Sequence, residues 1–169
     1  MENEVPRLPV AGAGPSSIIV PPGVPLLDCT VHGTPVQQGS KTRMRWSVID
    51  DNAERLTPWR TEVTETALRE KILPTPWDGP VGMTVTYWFV RPRSHYRTGR
   101  FADQLKPTAP KYHARFPDLD KLLRATMDAL TNARVWVDDN RVSVTFPVKR
   151  WAAPNDPPGA DITVWGIEE

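Results

Sequence analysis

Four aspartates form the pattern in this chain with the clearest capacity for chemistry. Asp118 and Asp120 stand two residues apart, and Asp138 and Asp139 follow 18 to 21 residues later. Two carboxylates about 5 Å apart repel by roughly 1 kcal/mol even in water, and by several times that near a protein surface. A group of three is tolerable only with protonation or a bound cation. An all-oxygen set suits Mg²⁺ or Mn²⁺, ions that keep several waters and bind phosphate oxygens. Such an ion lowers the pKa of a bound water and neutralises charge on a phosphoryl group. The same residues also fit structural roles. Asp118 is a natural helix N-cap, and Asp120 in a first turn favours the helix dipole. Asp120, Arg124 and Asp128 are spaced as ordinary helix ion pairs, and Asp138-Asp139-Asn140 is good turn composition.

Charge is distributed very unevenly. The formal net charge is only +1, yet Arg91, Arg93, Arg97, Arg100, Lys106, Lys111 and Arg115 fall in one 25-residue stretch with a single acid, Asp103. That stretch carries +6 and the rest of the chain −5. Such a split points to a polyanion held by one part of the molecule. Five of the seven are arginines, which pair bidentately with phosphate. Tyr96, Phe101 and Tyr112 lie among them and could stack on unpaired bases or wedge between base pairs. A merely Arg-rich, solvated loop is the plainer alternative. His95 and His113 have no partner motif and read as phosphate contacts or structural residues.

These residues need elements to hold them. Thr57-Pro58 has the form of a helix start, and Trp59, Val63 and Ala67 recur every four residues, so the pattern predicts a helix over about 58–72, ended by Pro74. A second, over about 118–133, carries Leu119, Leu122, Leu123, Met127 and Leu130 on one stripe. Alternation predicts strands at Leu27, Cys29 and Val31, at Val81–Val90, at Val142, Val144, Phe146 and Val148, and at Ile162, Val164 and Trp165. Residues 36–45 read as a polar, basic loop. The order β-α-β-α-β-β predicts an α+β fold, a two-layer domain with two helices packed on a mixed sheet. Residues 1–26, with six prolines, read as a flexible tail, and 27–169 as one domain carrying the basic loop at 91–115.

Composition excludes several classes. No apolar run is long enough to span a membrane, and the N-terminus lacks a secretory pattern. Cys29 is the only cysteine, so no internal disulfide can form, and a reducing, cytoplasmic setting suits the chain. Cys29 and most tryptophans read as core, with Trp136 bracing the acidic pair.

The block Pro117–Val142, PDLDKLLRATMDALTNARVWVDDNRV, resembles the signature of the RusA-type Holliday junction resolvases: an Asp-Leu-Asp-x-Leu start, Asp-Ala-Leu ending the helix, and an apolar pair before Asp-Asp-x-x-Val. Val31–Ser40, Val85–Arg91 and the stretch from Lys149 to Val164 resemble phage-type members more loosely. The likeness covers about residues 27–166. It implies a homodimer with one active site per subunit and Mg²⁺-dependent paired nicking of four-way DNA junctions, with Mn²⁺ as a substitute metal. Asp118, Asp120 and Asp139 match the family's metal-binding aspartates, and Asp138 is the weaker ligand candidate. The family's catalytic lysine falls at Arg124 here. Arginine keeps the charge but is no proton donor at ordinary pH. Lys121 and Lys149 are further candidate phosphate contacts. The resemblance places the protein in a bacterial or phage-infected cell. The rival readings are a junction- or duplex-binding protein without cleavage and a metal-dependent phosphohydrolase acting on nucleotides, the long Arg-rich loop arguing against so small a substrate.

Overall fold

The computed structural model describes residues 23–39, 41–44, 47–50 and 52–168. The proline-rich segment read as a tail lies outside the described residues except for its last four.

Strand β1 (Val24–His32) is an edge strand and takes in Val24–Leu26, which the proline pattern assigns to the tail. An edge tolerates Pro25, and the register slips between Pro25 and Leu27. The next segment holds a small hairpin, β2 (Lys41–Met44) with β3 (Ser47–Asp50), where the sequence suggests only a loop. Helix α1 (Ala53–Glu70) starts five residues before Pro58, which therefore lies inside it. The early start extends the buried stripe of Trp59, Val63 and Ala67 to Leu56. Asn52 also ties the helix entrance to the loop after β1, its Nδ2 donating to the Gln37 carbonyl at 3.0 Å. Those gains offset the backbone bond lost at Pro58. The helix stops at Glu70, and the Ile72 N–H turns to the Leu26 carbonyl at 2.9 Å.

Strand β4 (Val81–Phe89), helix α2 (Leu119–Asn132), strand β5 (Val142–Trp151) and strand β6 (Gly159–Gly166) complete the domain. The sheet order is β1-β6-β4-β5, with β4 and β5 parallel and the other pairs antiparallel. The expected α+β fold, a mixed sheet with two helices, is thus present. Val81, Met83, Val85, Tyr87 and Phe89 of β4 are all buried, as are Leu122, Ala125, Ala129 and Leu130 of α2. Each leucine so buried stabilises the fold by about 1.5–3 kcal/mol. Tyr87 and Thr126, both fully buried, join their hydroxyls across the β4–α2 interface at 2.8 Å, which helps to fix α2 on the sheet.

Strand β5 departs from a simple core reading. It lies at the sheet edge, and its face bearing Val144, Phe146 and Val148 points away from the helices. Phe146 is 55% exposed. Alternation marks a strand correctly but does not say what covers the apolar side. At Gly82 the backbone passes so close to the Trp165 indole that a Cβ would sit 2.3 Å from it. Trp59, Trp136 and Trp165 are core residues, as is Cys29.

Candidate active site

The parallel pairing of β4 and β5 decides which residues meet. Both strands run toward the same end of the sheet, the basic segment leaves β4 there, and α2 begins there. This is the end at which open α/β sheets commonly place ligands. Asp118, Asp120, Lys121 and Arg124 stand on the first turns of α2, and Arg115 lies three residues before Asp118. The α2 N-terminus adds a positive dipole end suited to phosphate.

Asp118 occupies the N-cap position but makes no side-chain cap bond. Its carboxylate, half exposed, pairs instead with Lys121 Nζ at 3.1 Å. The capping role is therefore not what the side chain does. Asp120 and Arg124 are exposed. The helix ion pairs suggested by spacing are replaced in part, since Asp128 pairs with Arg60 of α1 at 3.6 Å.

The late acidic pair lies elsewhere. Asp139 begins a short 3₁₀ turn, Asp139–Arg141, directly before β5. Asp138 accepts from the Asn140 N–H at 2.9 Å, a turn role, while Asp139 is exposed. Trp136 is buried just before them, its Nε1 donating to Thr131 Oγ1 at 2.7 Å. Yet α2 and β5 each carry the chain the length of the sheet. Fourteen helical residues span about 21 Å, and the seven steps from Val142 to Lys149 span about 23 Å. Asp139 is accordingly at the opposite end from Asp118 and Asp120 within one chain. Among the described residues no group of three or more His, Cys, Asp or Glu side chains is placed to hold a metal ion. One chain alone does not assemble the expected set of three carboxylates.

What β5 brings to Asp118 is Lys149. Its Nζ donates to the carbonyls of Arg115 and Pro117, each at 2.6 Å. Burial pushes this ammonium below its ordinary pKa, and the neighbouring Asp118 pulls it back up. Gln37, which sequence reasoning passed over, is buried and accepts the Asp118 N–H on its Oε1. The adjacent Gln38 N–H donates to the Lys121 carbonyl at 3.2 Å. No local pattern marks Gln37; only the tertiary packing of the loop after β1 against α2 reveals it.

The basic segment is folded rather than open. Backbone bonds pair Arg97 with Gln104 and Lys106 with His95, at 2.8 and 2.9 Å. Lys106 Nζ donates to the Ser94 carbonyl at 2.9 Å, and Arg91 donates to the Pro110 carbonyl at 2.9 Å while lying over the Trp151 ring. Arg93, Arg97, Arg100, Lys111 and Arg115 are exposed. Arg100 and Arg97 also lie over Phe101, at 4.7 and 5.9 Å from its centroid. Of the aromatics singled out, Tyr112 is 53% and Phe101 38% exposed, while Tyr96 is half-buried. Phe116, not singled out by the sequence, is 69% exposed two residues before Asp118. His95 and His113 are structural. His113 stacks on Phe89 at 4.2 Å, and both pack against Trp151. Burial, reinforced by nearby cations, holds both below the ordinary histidine value. Among the described residues no helix is long and apolar enough to cross a membrane.

A family profile described as Endodeoxyribonuclease RusA matches residues 33–164, most of the chain. No curated protein matches it.

Proposed function

Because the chain belongs to the RusA endodeoxyribonuclease family, we propose that it resolves four-way DNA junctions by paired, Mg²⁺-dependent nicks, acting as a homodimer. Membership makes it a structure-specific nuclease, in a family that acts on branched DNA and generally uses a divalent metal. The observation that carries the reading is the exposed Asp118–Asp120 pair at the α2 N-terminus, next to the exposed cations of the basic segment. Arg93, Arg97, Arg100, Lys111 and Arg115 hold the phosphates of the junction arms, with Lys121 next to the acids. Arg124, one turn beyond Asp120, offsets charge on the scissile phosphate. Magnesium, with Mn²⁺ as a substitute, supplies an activated water and charge neutralisation when bound.

The separation of Asp139 from Asp118 and Asp120 bears on the dimer. In this reading each metal site takes Asp118 and Asp120 from one subunit and Asp139 from its partner. A second copy would also cover the apolar strip of Val144, Phe146 and Val148. The protein works in the cytoplasm of a bacterial or phage-infected cell, where its substrate is found.

Mixing subunits tests the arrangement. Asp118→Asn and Asp139→Asn are each expected to be inactive alone yet to bind junctions. Refolded together, they form heterodimers in which one composite site keeps all its aspartates, so single-strand nicking returns. If both variants fold, exchange subunits and bind DNA but the mixture stays inactive, the shared site is wrong.

A further inference from the structure

The segment Arg115–Asp118 is held from outside its own helix. Gln37 takes the Asp118 N–H, and Lys149 takes the carbonyls of Arg115 and Pro117. Neither residue is adjacent to this segment in sequence, and each is anchored in turn. The Gln37 carbonyl accepts from Asn52 at the entrance of α1, and Lys149 stands opposite Tyr87, which is bonded to Thr126 of α2. The chain at Asp118 is thus fixed by the loop after β1 on one side and by β5 on the other. A lysine that serves mainly as a phosphate contact would leave its ammonium to solvent, whereas this one is directed at two main-chain carbonyls beside a carboxylate. Asp118, freed from capping, projects from the segment so clamped.

We propose that Gln37 and Lys149 are positioning residues that fix the Asp118 carboxylate for divalent-cation binding, an inference that rests on reading Asp118 as a metal ligand. Groups that orient metal ligands typically change metal affinity 10- to 100-fold when removed.

The test is a Mn²⁺ titration of the full-length protein, followed by the electron paramagnetic resonance signal of the free ion. Asp118→Asn provides the reference, and thermal unfolding verifies that each variant is folded. Gln37→Met and Lys149→Met should each weaken Mn²⁺ binding about 10- to 100-fold. Lys149→Arg, which keeps donors for the two carbonyls, should restore affinity to within a few-fold. Adding Lys149→Met to Asp118→Asn should cause no further loss, because the clamp acts through that carboxylate. Junction affinity of Lys149→Met in EDTA should stay within about two-fold of the parent, since a clamp adds no phosphate contact.

Unchanged Mn²⁺ affinity in both single variants, with Asp118-dependent binding intact in the parent, overturns the clamp and leaves the metal reading standing. Weaker junction binding and a shallower salt dependence in Lys149→Met, with Mn²⁺ binding unchanged, make Lys149 a phosphate contact and overturn its clamp role. A parent protein whose Mn²⁺ binding does not depend on Asp118 overturns the metal reading and the clamp with it.

Discussion

Arg91 and Arg93 are two residues apart in the same basic segment, yet neutralising them should have different effects. Arg91 is half-buried, donates to the Pro110 carbonyl and lies 5.4 Å from the Trp151 centroid, whereas Arg93 is exposed. Setting aside Arg91 and Lys106, which are tied to backbone carbonyls, leaves Arg93, Arg97, Arg100, Lys111 and Arg115 to meet phosphates. Each phosphate contact adds about 0.9 to the slope of log affinity against log salt. Five contacts give a slope of about −4.5 per subunit, so affinity should fall about 500-fold between 50 and 200 mM salt, and more steeply if both subunits engage. The assay is fluorescence-anisotropy binding of a labelled four-way junction in EDTA across a salt series. Arg93→Gln should reduce the slope by about 1 and weaken binding on all sequences alike. Arg91→Gln should leave the slope near its parent value and lower thermal stability instead, because it loosens the segment from Trp151. A parent slope near −2, or equal slope changes in the two variants, would refute this division of the basic residues.

Other outcomes follow from the interior. Tyr87→Phe removes a fully buried hydrogen bond and leaves the Thr126 oxygen with one partner fewer, costing about 1–3 kcal/mol. Since about 1 kcal/mol shifts Tm by 2–4 °C in a domain of this size, calorimetry should resolve the loss. Adding Thr126→Val should recover much of it, and strictly additive losses would contradict the bond's role. His95 and His113 are held neutral below their ordinary pKa of 6.5, so the unfolded chain takes up protons first as pH falls. Stability should therefore be full above about pH 6.5 and decline on acidification, a decline that replacing both histidines by Phe flattens in thermal melts. Burial, with Asp28 adding to it, pushes the Cys29 thiol up to about 12, so a disulfide reagent should modify it at pH 8 only after denaturation.

The second helix was almost wholly legible in the sequence. The Leu122, Met127 and Leu130 stripe and the Asp118 cap position place it within a residue of its observed ends, because both signals are local. The start of α1 was not, because Leu56 and the Asn52 contact with the loop after β1 extend the helix past the local signal of Pro58. For the site, composition marks the acids and the basic segment but cannot show which ends of the elements coincide. That depends on β5 running parallel to β4, which brings Lys149 to Asp118 and leaves Asp139 at the far end. Gln37 was invisible for the same reason. Its role comes from a long-range packing contact, whereas Asp118 and Asp120 stand out by their own spacing.

Cleavage of a strand-labelled four-way junction tests the central claim most directly, compared with a linear duplex of the same sequence, in Mg²⁺ and in EDTA, on a denaturing gel. Symmetric nicks in the junction alone, and only with Mg²⁺, are the expected result and would also establish that Arg124 is compatible with activity. A junction that is retarded on a native gel yet stays uncut in Mg²⁺ and in Mn²⁺ would contradict the account and leave a DNA-binding protein in place of a resolvase.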